Sequence, residues 1–184
     1  MKKIKLIVIA ITMLIASQIT KAQTTTPLDS ISATFKTSLQ QMFTEYLELK
    51  DALMKGDPEQ AGKEAVELNA LATKASGAGL TKAQQNIFSK QIEKIIHNTE
   101  HIRDNSKNYD HQCEHFDYLT DSFYKFLKSF RFNSTTVYYN YSADGNEGNS
   151  AHWLTNKDEM KDPYFKGATR TGDKRVETIS IKQN

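Results

Sequence analysis

Apolar side chains return every three or four positions through four separate stretches of the sequence, and a chain patterned this way buries them along one stripe of each of four helices. From Asp29 to Lys55 the stripe is Phe35, Leu39, Met42, Phe43, Tyr46, Leu49 and Leu53. Gly56 closes this helix, and Asp57-Pro58-Glu59-Gln60 opens the next with a cap acceptor, a proline at the first helical position and a glutamine at the third. In the second helix Ala61, Ala65, Leu68 and Ala72 face inward, small side chains that imply a close helix contact, and Gly77-Ala78-Gly79 ends it. Thr81-x-x-Gln84 reads as a capping box, and behind it Phe88, Ile92, Ile95, Thr99 and Ile102 form one face of a third helix. The polar run Asp104 to Asp110 turns the chain into a fourth, whose stripe is Phe116, Leu119, Phe123, Phe126, Leu127 and Phe130. An aromatic stripe at this spacing is expected to be core rather than a cofactor box.

Short connections between amphipathic helices favour an up-and-down antiparallel four-helix bundle, here over residues 28–132. After Asn133 the pattern changes: Val137 to Tyr141 reads as a strand, Asp144 to Asn149 as a turn-rich loop, and Ala151 to Leu154 as a second extended segment. Asp162-Pro163 bars an α-helix there, and Val176 to Ile179 reads as a last strand. The expected class is mostly α, of the α+β kind: a four-helix bundle carrying a small C-terminal β appendage over residues 133–184.

Lys2, Lys3 and Lys5 precede an apolar run from Leu6 to Ile15 that is too short for a membrane span, and Thr20-Lys21-Ala22 suits a signal peptidase. Residues 1–22 are therefore expected to be a signal peptide, and residues 23–184 a single domain working in the periplasm or otherwise outside the cytoplasm, without membrane insertion. Removing residues 1–22 takes four of the 24 Lys and Arg and none of the 22 Asp and Glu, so the net charge moves from +2 to −2. The remaining basic residues are interspersed with acidic ones, which argues against a nucleic-acid footprint. Cys113 is the chain's one cysteine, so it forms no internal disulfide.

Four of the five histidines lie in residues 97–115. His97 and His101 are four apart near the end of the third helix, and His111 and His115 are four apart near the start of the fourth. An antiparallel hairpin sets His101 level with His111 and His97 level with His115. Helix phase opposes a full cluster, because at about 100° per residue His97 falls about 180° from the core face of its helix, with His101 nearly as far round. His115 and His111 lie about 70° and 110° from the centre of the fourth stripe and flank the core. A site of two or three histidines including His111 and His115 is the stronger expectation, with solvated histidines as its rival. His97-x-x-Glu100-His101 also fits H-x-x-E-H, the zinc-hydrolase spacing in which two histidines hold the metal and the glutamate activates water, with Glu177 as a conceivable third ligand. The short motif arises easily in a helix rich in Glu and His, and neither a G-x-S-x-G nor a glycine-rich phosphate loop is present, so an enzyme is not expected.

His111-Gln112-x-Glu114-His115-Phe116-x-x-Leu119-Thr120, then Val137-Tyr138-Tyr139, Ala151-x-Trp153-Leu154-Thr155 and Asp162-Pro163-Tyr164-Phe165, together with Tyr46-Leu47-x-Leu49-Lys50-Asp51-Ala52-Leu53, resemble the domain of unknown function 3347 family. The resemblance implies an extracytoplasmic bacterial domain, found alone or attached to copper and heavy-metal efflux adaptor proteins. It further implies a Cys-Pro-Met after the first tyrosine-rich strand and a Met-Leu-x-Cys-Gly near the end, soft ligands of the kind that suit Cu(I). Here Ser142-Ala143-Asp144 stands in the first place and the region of Ala168-Thr169-Arg170-Thr171-Gly172 in the second, while Cys113 replaces an expected arginine. Of the ligands so implied the histidines remain, principally His101, His111 and His115. The expected function is a non-catalytic binding domain for heavy-metal handling, holding Cu(II) or Zn(II) or meeting an envelope or efflux protein. The alternative is a metal-free protein-interaction or envelope scaffold module, with a zinc hydrolase more remote.

Overall fold

A computed structural model describes residues 31–180 apart from residue 147, so the expected signal peptide lies outside the described residues. The four helices are α1 (Ala33–Met54), α2 (Pro58–Lys74), α3 (Lys82–Asp104) and α4 (Tyr109–Phe130). Each starts where its sequence supplies a cap acceptor: Ser32 takes the N–H of Phe35, Asp57 that of Gln60, Thr81 that of Gln84 and Asn108 that of His111. At Thr81 the capping box is complete, because the side chain of Gln84 accepts the Thr81 N–H in return. No helix among the described residues is long and apolar enough to cross a membrane.

The predicted stripes are the core. Phe35, Leu39, Met42, Phe43, Tyr46, Leu49 and Leu53 of α1 are buried, as are Phe116, Leu119, Phe123, Phe126, Leu127 and Phe130 of α4. The rings interlock: Tyr46 stacks on Phe116 with centroids 5.1 Å apart and meets Phe123 at 4.9 Å, while Phe35 sets its edge on Phe130 at 5.1 Å. The small residues of α2 allow the close approach they suggested, since a Cβ on Gly62 would stand 3.0 Å from the Ser106 side chain in the α3–α4 turn.

The appendage is a three-stranded antiparallel sheet of β1 (Val137–Asn146), β2 (Asn149–Thr155) and β3 (Lys174–Ile179), with β1 in the centre. The segment read as a turn-rich loop proves mostly strand, because β1 runs on through Asn146, paired with Asn149 beyond a register shift. Glycine makes that continuation possible: a Cβ on Gly145 would come within 2.8 Å of the Tyr164 ring. A short 3₁₀ turn at Pro163–Phe165 replaces the barred α-helix, capped by Asp162, whose side chain accepts the Tyr164 N–H.

The sheet is fastened to α1 and α4. The fully buried Tyr46 hydroxyl bonds Thr120 at 2.7 Å and accepts the Leu154 N–H at 3.0 Å, joining two helices and a strand at one oxygen. Asp117 accepts the His152 N–H at 2.8 Å, and burial pushes its carboxyl up to about 6. Trp153 is fully buried, and Tyr139 is packed between Tyr124 and His152, so these aromatics are packing residues rather than an exposed stacking platform.

Candidate metal centre

The last turns of α3 and the first turns of α4 lie side by side, and their four histidines form one group on the outer seam between them. His101 stacks on His115 with ring centroids 4.2 Å apart, His111 lies 4.6 Å from His115, and His97 lies 4.5 Å from His101. The cross-helix pairs that hairpin symmetry sets level, His101 with His111 and His97 with His115, are at 5.9 and 6.2 Å. The ligating nitrogens of His101, His111 and His115 all fall within 4.8 Å of one another.

Helix phase, measured from the centre of the core, opposes such a meeting, but adjacent helices in a bundle touch along their flanks. A side chain far from the core on α3 and one flanking the core on α4 therefore share the same seam. His97 is exposed, as its phase requires, and stands beside His101.

His115 is the inner member, 7 % exposed, and its environment selects a tautomer. The Asn98 amide nitrogen donates to the Lys94 carbonyl at 2.8 Å, which leaves the Asn98 Oδ1 facing the His115 Nδ1 at 2.9 Å as an acceptor. With the proton on Nδ1, the lone pair of His115 is on Nε2, the form that a metal ligand needs. Burial, reinforced by neighbouring His101 and His111, pushes the imidazole down to about 4, so it is neutral across the ordinary range of pH. Glu114 stands beside His111, its Oε2 3.6 Å from the His111 Nδ1, while its other oxygen accepts from the Tyr118 hydroxyl at 3.3 Å. Tetrahedral nitrogen ligands about 2.0–2.1 Å from zinc stand about 3.3 Å apart, so modest side-chain rotation closes the triad on an ion.

Asn98 and Glu114 are neighbours of the triad that reading the sequence did not single out. The available signal was position: Asn98 is a polar residue on the inward side of α3, and His111-x-x-Glu114-His115 repeats the spacing of His97-x-x-Glu100-His101. Glu177, the conceivable third ligand of a zinc hydrolase, is engaged elsewhere: it accepts from Tyr124 at 2.7 Å and pairs with Lys128.

Cys113 is buried on another side of α4, and burial pushes its thiol up to about 12, which makes it a packing residue with little thiolate character. It borders an open cleft of ≈ 380 Å³ shared with Asp144, Gly145, Tyr164 and Arg170. The two segments where the family resemblance implies sulfur ligands converge there: a Cβ on Gly172 would touch that of Ala143 at 3.1 Å. Neither segment carries sulfur in this chain.

A family described as protein of unknown function (DUF3347) matches residues 42–135, just over half of the chain, and the chain belongs to that family. The matched span includes all four clustered histidines and ends before β1. No curated protein and no solved structure shows significant similarity to the chain.

Proposed function

We propose that this member of the DUF3347 family is a non-catalytic metal-binding domain that holds Cu(II) or Zn(II) through His101, His111 and His115. The observation that carries the reading is the triad itself: three imidazoles whose nitrogens lie within 4.8 Å of one another, the innermost oriented and kept neutral by Asn98 and by burial. Imidazole suits both ions, and the absence of any thiolate or thioether in the group disfavours Cu(I). The same proposal places the domain outside the cytoplasm, on the strength of the Lys2 to Ala22 pattern, where it would buffer a metal or pass it to an envelope or efflux protein.

Calorimetric titration of Cu(II) and of Zn(II) into wild type and His111→Ala/His115→Ala at pH 7.5 tests it. Binding is expected in the wild type, lost in the double variant, and weaker in acid, where protons compete with the metal for the imidazole nitrogens. Equal affinity in the two proteins would refute the placement. A second reading, a metal-free interaction or scaffold module, draws support from the sulfur-free convergence of Ala143 and Gly172, and it becomes the better one if the wild type binds neither ion.

A further inference from the structure

Three imidazoles leave one position of a four-coordinate ion unfilled, and the identity of the fourth ligand decides whether the site is closed or open to water and substrate. Glu114 accepts from the Tyr118 hydroxyl at 3.3 Å, and among the described residues neither a carboxylate nor His97 lies within the triad's 4.8 Å ligating group, so a fourth side-chain ligand has to swing in. His97 is exposed, its ring makes no hydrogen bond or ion pair among the described residues, and it borders the same small cleft as His115, Asn98 and Tyr118. It lies one turn from His101, with the rings 4.5 Å apart, and across the seam from His115 at 6.2 Å.

We propose that His97 is the fourth ligand, so that two histidine pairs, each spaced four apart on antiparallel helices, close a four-imidazole centre across the α3–α4 seam. This rests on the triad reading above and goes beyond it. The triad nitrogens are gathered beside buried His115, whereas the exposed His97 is free to rotate onto the solvent side of a bound ion. Such a centre has four neutral nitrogen donors and no place for a metal-bound water, which makes it a holding site rather than a hydrolytic one. In this arrangement His97-x-x-Glu100-His101 supplies a ligand pair, and Glu100 has no metal-bound water to activate. As the most exposed ligand, His97 is the one that an incoming donor would displace when the metal is handed on.

The test compares purified wild type, His97→Ala and His111→Ala/His115→Ala, using Zn(II) for affinity and Co(II) as a visible probe. Wild type is expected to give the intense visible absorption of tetrahedral Co(II). His97→Ala should bind Zn(II) at least about tenfold more weakly, the lower bound for losing even an outer-shell partner of a metal site. Its Co(II) spectrum should change, and added imidazole should restore the wild-type spectrum, while its thermal unfolding without metal stays that of the wild type. If His97→Ala keeps wild-type affinity and spectrum, the fourth ligand is not His97, and the triad reading survives. If the double variant also binds as wild type does, or wild type binds neither ion, both readings fall.

Discussion

Two sides of α4 face different chemical worlds. Towards α1 and the sheet it presents Phe116, Phe123 and Thr120, the last bonded to the Tyr46 hydroxyl, a dry contact in which rings sit about 5 Å apart. Towards α3 its first turns present His111 and His115, which meet His97 and His101 on a half-exposed seam. Volume and shape hold the first region together, whereas in the second the Asn98 Oδ1 orients His115 by accepting from its Nδ1. Stability should therefore be concentrated on the aromatic side and ligand chemistry on the histidine side, so substitutions in the two regions should fail in different assays.

The strongest test of that division is Phe123→Ala, which opens a cavity at the centre of the dry side and should cost about 3–5 kcal/mol in urea unfolding. Tyr46→Phe keeps the ring but strands the buried Leu154 N–H and the Thr120 hydroxyl, so a loss of about 2 kcal/mol is expected, with the sheet loosening first in hydrogen exchange. A comparable loss from a histidine-side residue would blur the division.

Asp162 sharpens it by pH. Burial raises its folded carboxyl to about 6, above an unfolded value of about 3.9, so the folded state holds the proton more tightly between those values. The stability contributed by that proton is complete below about pH 4 and is lost as the pH rises through about 6. Between pH 4 and pH 7 the wild type should therefore lose on the order of 2 kcal/mol relative to Asp162→Asn, read from paired denaturation curves. A constant difference would show that Asp162 is ionised in both states.

On the histidine side the expected effects appear in binding. Asn98→Ala removes the acceptor that fixes the His115 tautomer and should weaken Zn(II) or Cu(II) binding by about tenfold. His97→Ala should leave unfolding within about 0.5 kcal/mol of wild type, because the side chain is exposed. A large stability loss there would mean that His97 belongs to the structural side after all.

Much of the fold was legible because its determinants are local or periodic. Asp57 and Thr81 cap helices through side chains three residues from their partners, and the stripes of α1 and α4 follow from helical spacing alone. The extension of β1 through Asn146 was not legible, since it depends on Gly145 fitting under Tyr164, a residue nineteen positions further on. The candidate site was half legible: spacing brought out His111 and His115 and the family resemblance added His101, but the place of His97 and the role of Asn98 were not apparent.

The sequence by itself determined which stretches form helices, which stripe of each is buried and that two pairs of histidines flank the α3–α4 turn. Tertiary structure alone decided which flank of α3 meets which flank of α4, that His101 stacks on His115 rather than on His111, and that Asn98 faces the His115 Nδ1. The physical reason is that periodicity specifies a direction only relative to a helix's own axis. The direction to a neighbouring helix is set by how both helices rotate to bury their stripes together, and that rotation belongs to the packed bundle as a whole.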